Sequence, residues 1–359
     1  MSLIPATILT GFLGAGKTTL LKRILTEVHG QKIAVIENEF GEENIDSDIL
    51  VSDTSEQIIQ MSNGCICCTI REDLRVTLQD LAEKKRKGEL SFDRVVIETT
   101  GLADPGPVAQ TFFMDDEIAE SYLLDSILTL VDAKHAPTQL NDRQEARRQV
   151  GFADQIFISK SELVSKDALE ALQHRLKHMN PRAPQQTVHF GEVAIKDVFD
   201  LRGFNLNAKL DIDPDFLKVD DHDHDHAHDH AHHHHAEGEA CDHPSHNPSH
   251  DQSHGHHHHT DDDVKSFVFK SDRPFDPAKL EDFLGAIVNI YGPRMLRYKG
   301  VLYMQGTDRK VIFQGVHQLM GSDLGPAWGP EEHKSSKMVF IGIDLPKDIL
   351  LQGMEQALV

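Results

Sequence analysis

The sequence has no long apolar run. No stretch of 18 consecutive apolar residues occurs in the 359-residue chain, so we predict no transmembrane helix. The first ten residues contain no basic residue and lead directly into an apolar strand and a motif. That pattern differs from a removable signal peptide. We therefore expect a cytoplasmic protein with no membrane association.

Basic residues are also few. The chain has 36 Lys and Arg against 58 Asp and Glu, a formal net charge of −22 with His neutral. Nucleic-acid binding needs a basic surface for phosphate contacts, so the composition argues against a nucleic-acid partner. The negative charge suits a protein that attracts cations, although it can equally serve solubility.

Cysteine occurs four times. Cys65, Cys67 and Cys68 fall within four positions, and Cys241 stands apart. In a chain without an export signal, clustered cysteines indicate metal or redox chemistry rather than a disulfide framework.

The first 200 residues alternate short apolar runs with amphipathic segments. This order is typical of a parallel sheet covered by helices on both faces. Strands are predicted at 4–10, 32–37, 94–99, 126–132 and 155–160, and helices at 17–28, 71–85, 143–151 and 167–178.

The composition changes abruptly after that region. Of the 24 His residues, 17 lie between His222 and His259, interspersed with Asp. Such a segment buries too little apolar surface to offset its ordering entropy, so we predict disorder there. Alternating patterns then return. We predict three parts: an α/β domain at 1–205, a His/Asp-rich linker at 206–263, and a small α+β domain at 264–359.

A phosphate-binding loop follows the first predicted strand. The run Gly11-Phe-Leu-Gly-Ala-Gly-Lys17-Thr18 matches G-x-x-x-x-G-K-[ST] between a strand and a helix, the context that the motif requires. Glycines let backbone N–H groups face an anion at a helix N-terminus. Lys17 is predicted to reach the β- and γ-phosphates and Thr18 to bind Mg²⁺. The predicted nucleotide contacts of this loop are Gly11, Gly14, Ala15, Gly16, Lys17, Thr18 and Thr19.

Two later segments complete a nucleotide site. Glu98 ends an apolar strand and suits a Mg²⁺ role, and Gly101 just after it suits γ-phosphate sensing. A solvated strand-end Glu is the alternative.

Ser159, Lys160 and Glu162 stand where a GTPase has Asn-Lys-x-Asp, whose carboxylate reads guanine. Ser for Asn and Glu for Asp are departures, so a plain strand end is the alternative there.

The thiol cluster is the second strong signal. Thiolates at Cys65, Cys67 and Cys68 can converge on one ion, and they favour Zn²⁺ and similar soft or borderline ions. Three thiolates leave one position open, as a transfer site requires. Glu37 and Glu42 are the predicted oxygen ligands or gate. For the cysteines, the alternative is a redox pair or buried thiols. For the two glutamates, the alternative is a plain surface position.

Histidines give weaker signals. The His/Asp-rich run predicts many exchangeable metal sites that act as a buffer, with a solvated linker as the alternative. His174 and His178 share a helix face at i, i+4. Without a third ligand, a surface role is favoured for them.

Several motifs occur together in this chain: Gly11–Thr19, Glu37-Asn-Glu-Phe-Gly-Glu42, Gly64-Cys-Ile-Cys-Cys68, Glu98-Thr-Thr-Gly-Leu-Ala-Asp-Pro105, Leu296-Arg-Tyr-Lys-Gly300, Phe313-Gln-Gly-Val316 and Trp328-Gly329. Taken together, they resemble the CobW-type metallochaperone GTPases, nearest to the zinc-binding YjiA-like branch. The resemblance implies slow GTP hydrolysis with Lys17, Thr18 and Glu98, Mg²⁺ as cofactor, and Zn²⁺ (or Co²⁺ or Ni²⁺) at the cysteines with Glu37 and Glu42. It also implies delivery to a metal-requiring client and allows a nucleotide- or metal-dependent homodimer.

Two rival functions remain at this point. One is a GTPase that inserts cobalt into a specific cofactor or enzyme. The other is a metal store or sensor without enzymatic activity, against which the intact Lys17-Thr18 pair speaks.

Overall fold

The structure is a computed structural model and describes residues 3–27, 30–38, 57–61, 69–201, 203 and 263–359. Predictions on Glu42, Cys65, Cys67, Cys68 and the His/Asp-rich run fall outside these residues. The two described parts of the chain belong to one compact unit.

The first part is an α/β fold built on a parallel sheet of seven strands in the order β3-β2-β4-β1-β5-β6-β7. Its elements in chain order are β1 (Ile4–Gly11), α1 (Lys17–Thr26), β2 (Ile33–Asn38), β3 (Gln57–Met61), α2 (Thr69–Arg86), β4 (Arg94–Glu98), α3 (Pro105–Met114), α4 (Asp116–Ser121), β5 (Tyr122–Asp132), α5 (Ala136–Asp142), α6 (Gln144–Phe152), β6 (Gln155–Ser159), α7 (Lys166–Met179) and β7 (Gln185–Val188).

The central strands are apolar on both faces because helices cover both sides of the sheet. β1 and β4 are nearly continuous buried runs, the pattern of a covered parallel strand. On one face, Leu20 and Ile24 of α1 pack with Leu9 and Val35 of the sheet. The predicted P-loop α/β architecture is therefore confirmed, and the carboxyl ends of the strands form one edge.

The second part is a smaller α+β fold. Its five-stranded antiparallel sheet has the order β11-β10-β9-β12-β8. The elements are β8 (Val264–Ser271), α8 (Pro277–Tyr291), β9 (Met295–Leu302), β10 (Arg309–Val316), β11 (Leu319–Ala327), β12 (Ser336–Ile343) and α9 (Lys347–Gln356).

The smaller sheet has two different faces. α8 and α9 cover one face over an aromatic core that includes Phe269, Phe313 and Phe340. The other face contacts α6 and α7 of the first part. There Arg297 of β9 pairs with Asp154 at 2.6 Å, and both side chains are largely buried. This ion pair joins β9 to the connection between α6 and β6.

Across the described residues, no helix is both long enough and apolar enough to cross a membrane.

Candidate nucleotide and metal site

The loop between β1 and α1 is shaped by glycine. Gly16 precedes the first residue of α1 with φ of 100°, a conformation that L-residues with a side chain rarely adopt. It leaves the first N–H groups of α1 without a capping side chain, facing the loop. Within the loop, the buried Lys17 ammonium donates to the Gly11 carbonyl over 2.9 Å. Together these groups present N–H dipoles and a cation to an anion.

A carboxylate stands beside the first turn of α1. The Thr18 hydroxyl donates to Glu98 Oε1 over 3.1 Å, across 80 residues of sequence. These are hard oxygen donors of the kind that Mg²⁺ prefers near phosphates. The two residues therefore fit the predicted metal-cofactor position.

Glu37 lies one strand away from Glu98. β2 and β4 are parallel neighbours, and Glu37 is the register partner of Glu98. Adjacent strands lie about 4.8 Å apart, and register partners project on the same face. The carboxylate predicted to touch the thiophilic metal is thus adjacent to the carboxylate of the nucleotide side.

The segment after Glu98 is tied closely to the phosphate loop. A Cβ at Gly101 would lie 2.6 Å from the backbone nitrogen of Leu13, so the two backbones touch. From α6, the buried Gln149 amide donates to the carbonyls of Gly101 and Ala103 over 3.1 and 3.0 Å. This segment therefore cannot move unless α6 or the phosphate loop moves with it.

The same segment reaches the smaller sheet through α3. Asp104 caps α3 by accepting from the Gly106 N–H over 2.9 Å, and it also pairs with Arg148. A Cβ at Gly106 would lie 2.5 Å from Nε2 of His317, in the loop between β10 and β11. The His317 ring is buried edge-on against Phe152 at 5.1 Å. Burial holds the pKa of His317 below its ordinary value, against the opposing charge of Asp104.

The loop after β6 packs on the phosphate loop. The Ser159 hydroxyl donates to the Ala15 carbonyl over 2.7 Å. Lys160, in the left-handed region at φ 56°, donates to the Gly14 carbonyl over 2.8 Å and to Asp132 over 2.7 Å. Burial alone would raise the pKa of Asp132, but hydrogen bonds from Lys160 and His135 outweigh it and hold that pKa low. Three segments thus meet around the loop.

Glu162 lies at the rim of this region. It sits in a single 3₁₀ turn, and its carboxylate is half-exposed, with Oε2 3.4 Å from Nδ1 of His189. Phe190, next to His189, is 74% exposed with a positive φ of 45°. His189 thus lies between the Glu162 carboxylate and the exposed Phe190 ring, which is 4.5 Å from it.

The metal ligands predicted from sequence are only partly described. Glu37 ends β2, whereas Glu42 and the three cysteines lie outside the described residues. Within 3–27, 30–38, 57–61, 69–201, 203 and 263–359, no group of three or more His, Cys, Asp or Glu side chains could hold a metal ion.

Sequence reasoning missed several residues at this edge. Asp132 orients Lys160, Gln149 holds the segment after Glu98, and His189 faces Glu162. Asp132 could have been suspected because it ends a strand at the same edge of the sheet. Gln149 lies inside a helix with no local signal.

This geometry defines a P-loop nucleoside triphosphatase. The family model described as CobW/HypB/UreG, nucleotide-binding domain, matches residues 5–187, and the model of the cobalamin synthesis protein cobW C-terminal domain matches 264–358.

Known proteins are similar to this chain over most of its length. The zinc chaperone YjiA of Escherichia coli is 39% identical over 349 residues, which is 97% of this chain and 96% of that one. The zinc-regulated GTPase metalloprotein activator 1 of Dictyostelium discoideum is 30% identical, covering 89% of this chain and 66% of that protein. A solved Zn(II)-bound structure of the E. coli YjiA GTPase matches with a TM-score of 0.73 at 34% identity, covering 99% of both chains. The chain belongs to the CobW-type family of P-loop GTPases.

Proposed function

We propose that this GTPase is a metallochaperone that binds Zn²⁺ at Cys65, Cys67 and Cys68 and delivers it to a client protein. Glu37 and Glu42 complete or gate the site, and the bound nucleotide decides how firmly the ion is held. The family gives the GTPase class, and the names of the relatives support zinc as the cargo and a metalloprotein as the client.

The observation that carries the proposal is the register of β2 and β4. It sets Glu37 beside Glu98, and Glu98 accepts the hydrogen bond from Thr18. A charge bound at one carboxylate therefore acts on the other over a short distance. Covalent connectivity points the same way: Met61 ends β3 beside Asn38 of β2, and four residues of chain, at most about 14 Å, separate it from Cys65.

Each nucleotide-side residue has a distinct task. Thr18 and Glu98 would hold Mg²⁺, which offsets phosphate charge. Lys17 would bind the β- and γ-phosphates through the ammonium that donates to Gly11. Gly101 brings its backbone against the phosphate loop and would register whether a γ-phosphate is bound.

The loop after β6, with Ser159, Lys160 and Glu162, would recognise guanine. Ser159 and Lys160 fasten the loop to Ala15 and Gly14, which positions Glu162 at the rim. The Glu162 carboxylate would accept the guanine N1–H and amino protons together.

Coupling between metal and nucleotide is the testable core of the proposal. Metal and nucleotide must affect each other's binding reciprocally if they favour different arrangements. Zn²⁺ affinity of the full chain is measured by competition with a chromophoric chelator, with Mg²⁺ and either a non-hydrolysable GTP analogue or GDP. We expect the two affinities to differ about 5- to 150-fold, the usual range of allosteric coupling. Equal affinities would refute nucleotide control.

The ligand assignment is tested in the same assay. Cys65→Ala, Cys67→Ala and Cys68→Ala together should abolish tight stoichiometric zinc binding while GTP still binds. Cys241→Ala is the matched control and should retain the tight site. Tight binding that survives the triple replacement would overturn the thiol assignment and leave the GTPase class untouched.

A further inference from the structure

Two histidines lie side by side on α7, apart from the residues assigned above. His174 and His178 are one helical turn apart, and both side chains are exposed. Their Nε2 atoms are 3.2 Å apart, and the ring centroids are 4.4 Å apart at 70°. Spacing of four residues places side chains on one helix face, but it does not by itself aim both Nε2 atoms at one point.

That separation suits a shared metal ion. Zn–N bonds of about 2.0–2.1 Å place two nitrogens about 3.3 Å apart in a tetrahedral site and about 2.9 Å apart in an octahedral one. The observed 3.2 Å falls within this range, so the two nitrogens already have the spacing of a shared metal ion's ligands. We infer that His174 and His178 form a bidentate surface site for a divalent transition-metal ion, distinct from the thiol cluster.

The surroundings favour a cation. His178 is in the last turn of α7, where the helix dipole is negative. Of the neighbouring cations, Lys177 donates to the Pro181 carbonyl over 2.7 Å, and Arg175 donates to the Pro137 carbonyl over 3.4 Å. The Ser266 hydroxyl donates to the His178 carbonyl over 2.8 Å, which fixes the last turn of α7 against β8.

The chemistry indicates a holding site rather than a structural one. Imidazole suits Zn²⁺, Ni²⁺ and Cu²⁺. Two protein ligands leave the remaining positions to water, so the ion binds weakly and exchanges quickly. β8 is the first strand after the His-rich sequence that ends at His259. The Ser266 contact places the pair beside β8, so an exchangeable ion there would lie close to the start of the second described part of the chain.

The test reads each histidine separately, because the chain has 24 of them. The full chain carrying the triple cysteine replacement is treated with diethyl pyrocarbonate in zinc buffers that fix the free Zn²⁺. Peptide mass spectrometry then gives the labelling rate of each imidazole. Free zinc at ten times the dissociation constant should slow labelling of His174 and His178 about tenfold, since about a tenth of the sites stay open. The exposed His135 and His333 serve as references.

Single replacements separate chelation from chance protection. In His178→Gln, His174 should lose its protection at the same free zinc, and His174→Gln should do the same to His178. An anomalous difference peak bonded to both Nε2 atoms in zinc-soaked crystals should disappear in either variant. The inference is overturned if neither histidine is protected, if only one is, or if protection survives in the single variants. Because the thiols are absent from this background, failure here leaves the thiol proposal unaffected.

Discussion

Replacing Gly106 tests whether the segment after Glu98 is locked to the smaller sheet. A Cβ at this position would lie 2.5 Å from His317 Nε2 and 2.8 Å from Phe152 Cζ. Neither ring has room to move, because Phe152 is fully buried and His317 is 7% exposed, with Nδ1 3.2 Å from the Gly292 carbonyl. Gly106→Ala should therefore lower the free energy of unfolding by about 1–3 kcal/mol, the usual cost of overpacking.

A second substitution identifies the clashing partner. His317→Asn shortens the side chain, and asparagine tolerates the left-handed backbone found there at φ 51°. The double variant should be less destabilised than the sum of the single variants by about 0.5–3 kcal/mol. Urea unfolding of the full chain gives these energies.

The control is Gly285→Ala in α8. A Cβ there meets nothing within 4 Å, so the variant should gain up to about 1 kcal/mol from helix propensity. GTP turnover should fall in Gly106→Ala, recover in part in the double variant, and stay unchanged in Gly285→Ala. If the two losses of unfolding free energy simply add in the double variant, the methyl group does not meet the imidazole. The idea that this segment is held against the smaller sheet would then be refuted.

Three further outcomes are expected. Burial holds the pKa of His317 low. The stability contributed by the neutral His317 ring is therefore complete above about pH 6.5. It is lost as the pH falls toward the folded-state pKa, because the unfolded chain binds the proton first. The free energy of unfolding should thus drop more on acidification in the unsubstituted chain than in His317→Asn; equal drops would contradict this. Ser159→Ala removes the hydrogen bond to the Ala15 carbonyl and should weaken GTP and GDP binding alike, by about 1–3 kcal/mol in calorimetry. Glu162→Gln should reduce the preference for GTP over ATP about 10- to 100-fold in competition binding, whereas the exposed Glu192→Gln should not; an unchanged preference would remove Glu162 from base reading.

Elements with strong local patterns were predicted well from the sequence. The predicted strand at 155–160 and helix at 167–178 correspond to β6 and α7 within one residue at each end. Both are bounded by polar residues and bury a continuous apolar run or stripe. The predicted strand at 126–132 begins four residues late, since β5 starts at Tyr122.

Three of the four edge strands were missed for a common physical reason. β3 and β7 end the seven-stranded sheet, and β11 ends the five-stranded one. An edge strand has one neighbour, so its sequence needs little apolar character. β7 reads Gln-Gln-Thr-Val, and most of β11 is exposed or half-buried. Only pairing with a distant strand makes these segments extended.

The site residues also differ in how far the sequence alone could predict them. The sequence by itself determined the phosphate loop and predicted a metal site at the thiol cluster, because a glycine turn between a strand and a helix, or thiolates at close spacing, are local chemistry. Tertiary structure alone decided that Glu37 stands beside Glu98, that Ser159 holds the loop despite replacing Asn, and that His317 touches the first turn of α3. Each of those contacts joins residues 61 to 211 positions apart. Such contacts depend on strand order and sheet packing, which no short stretch of sequence encodes.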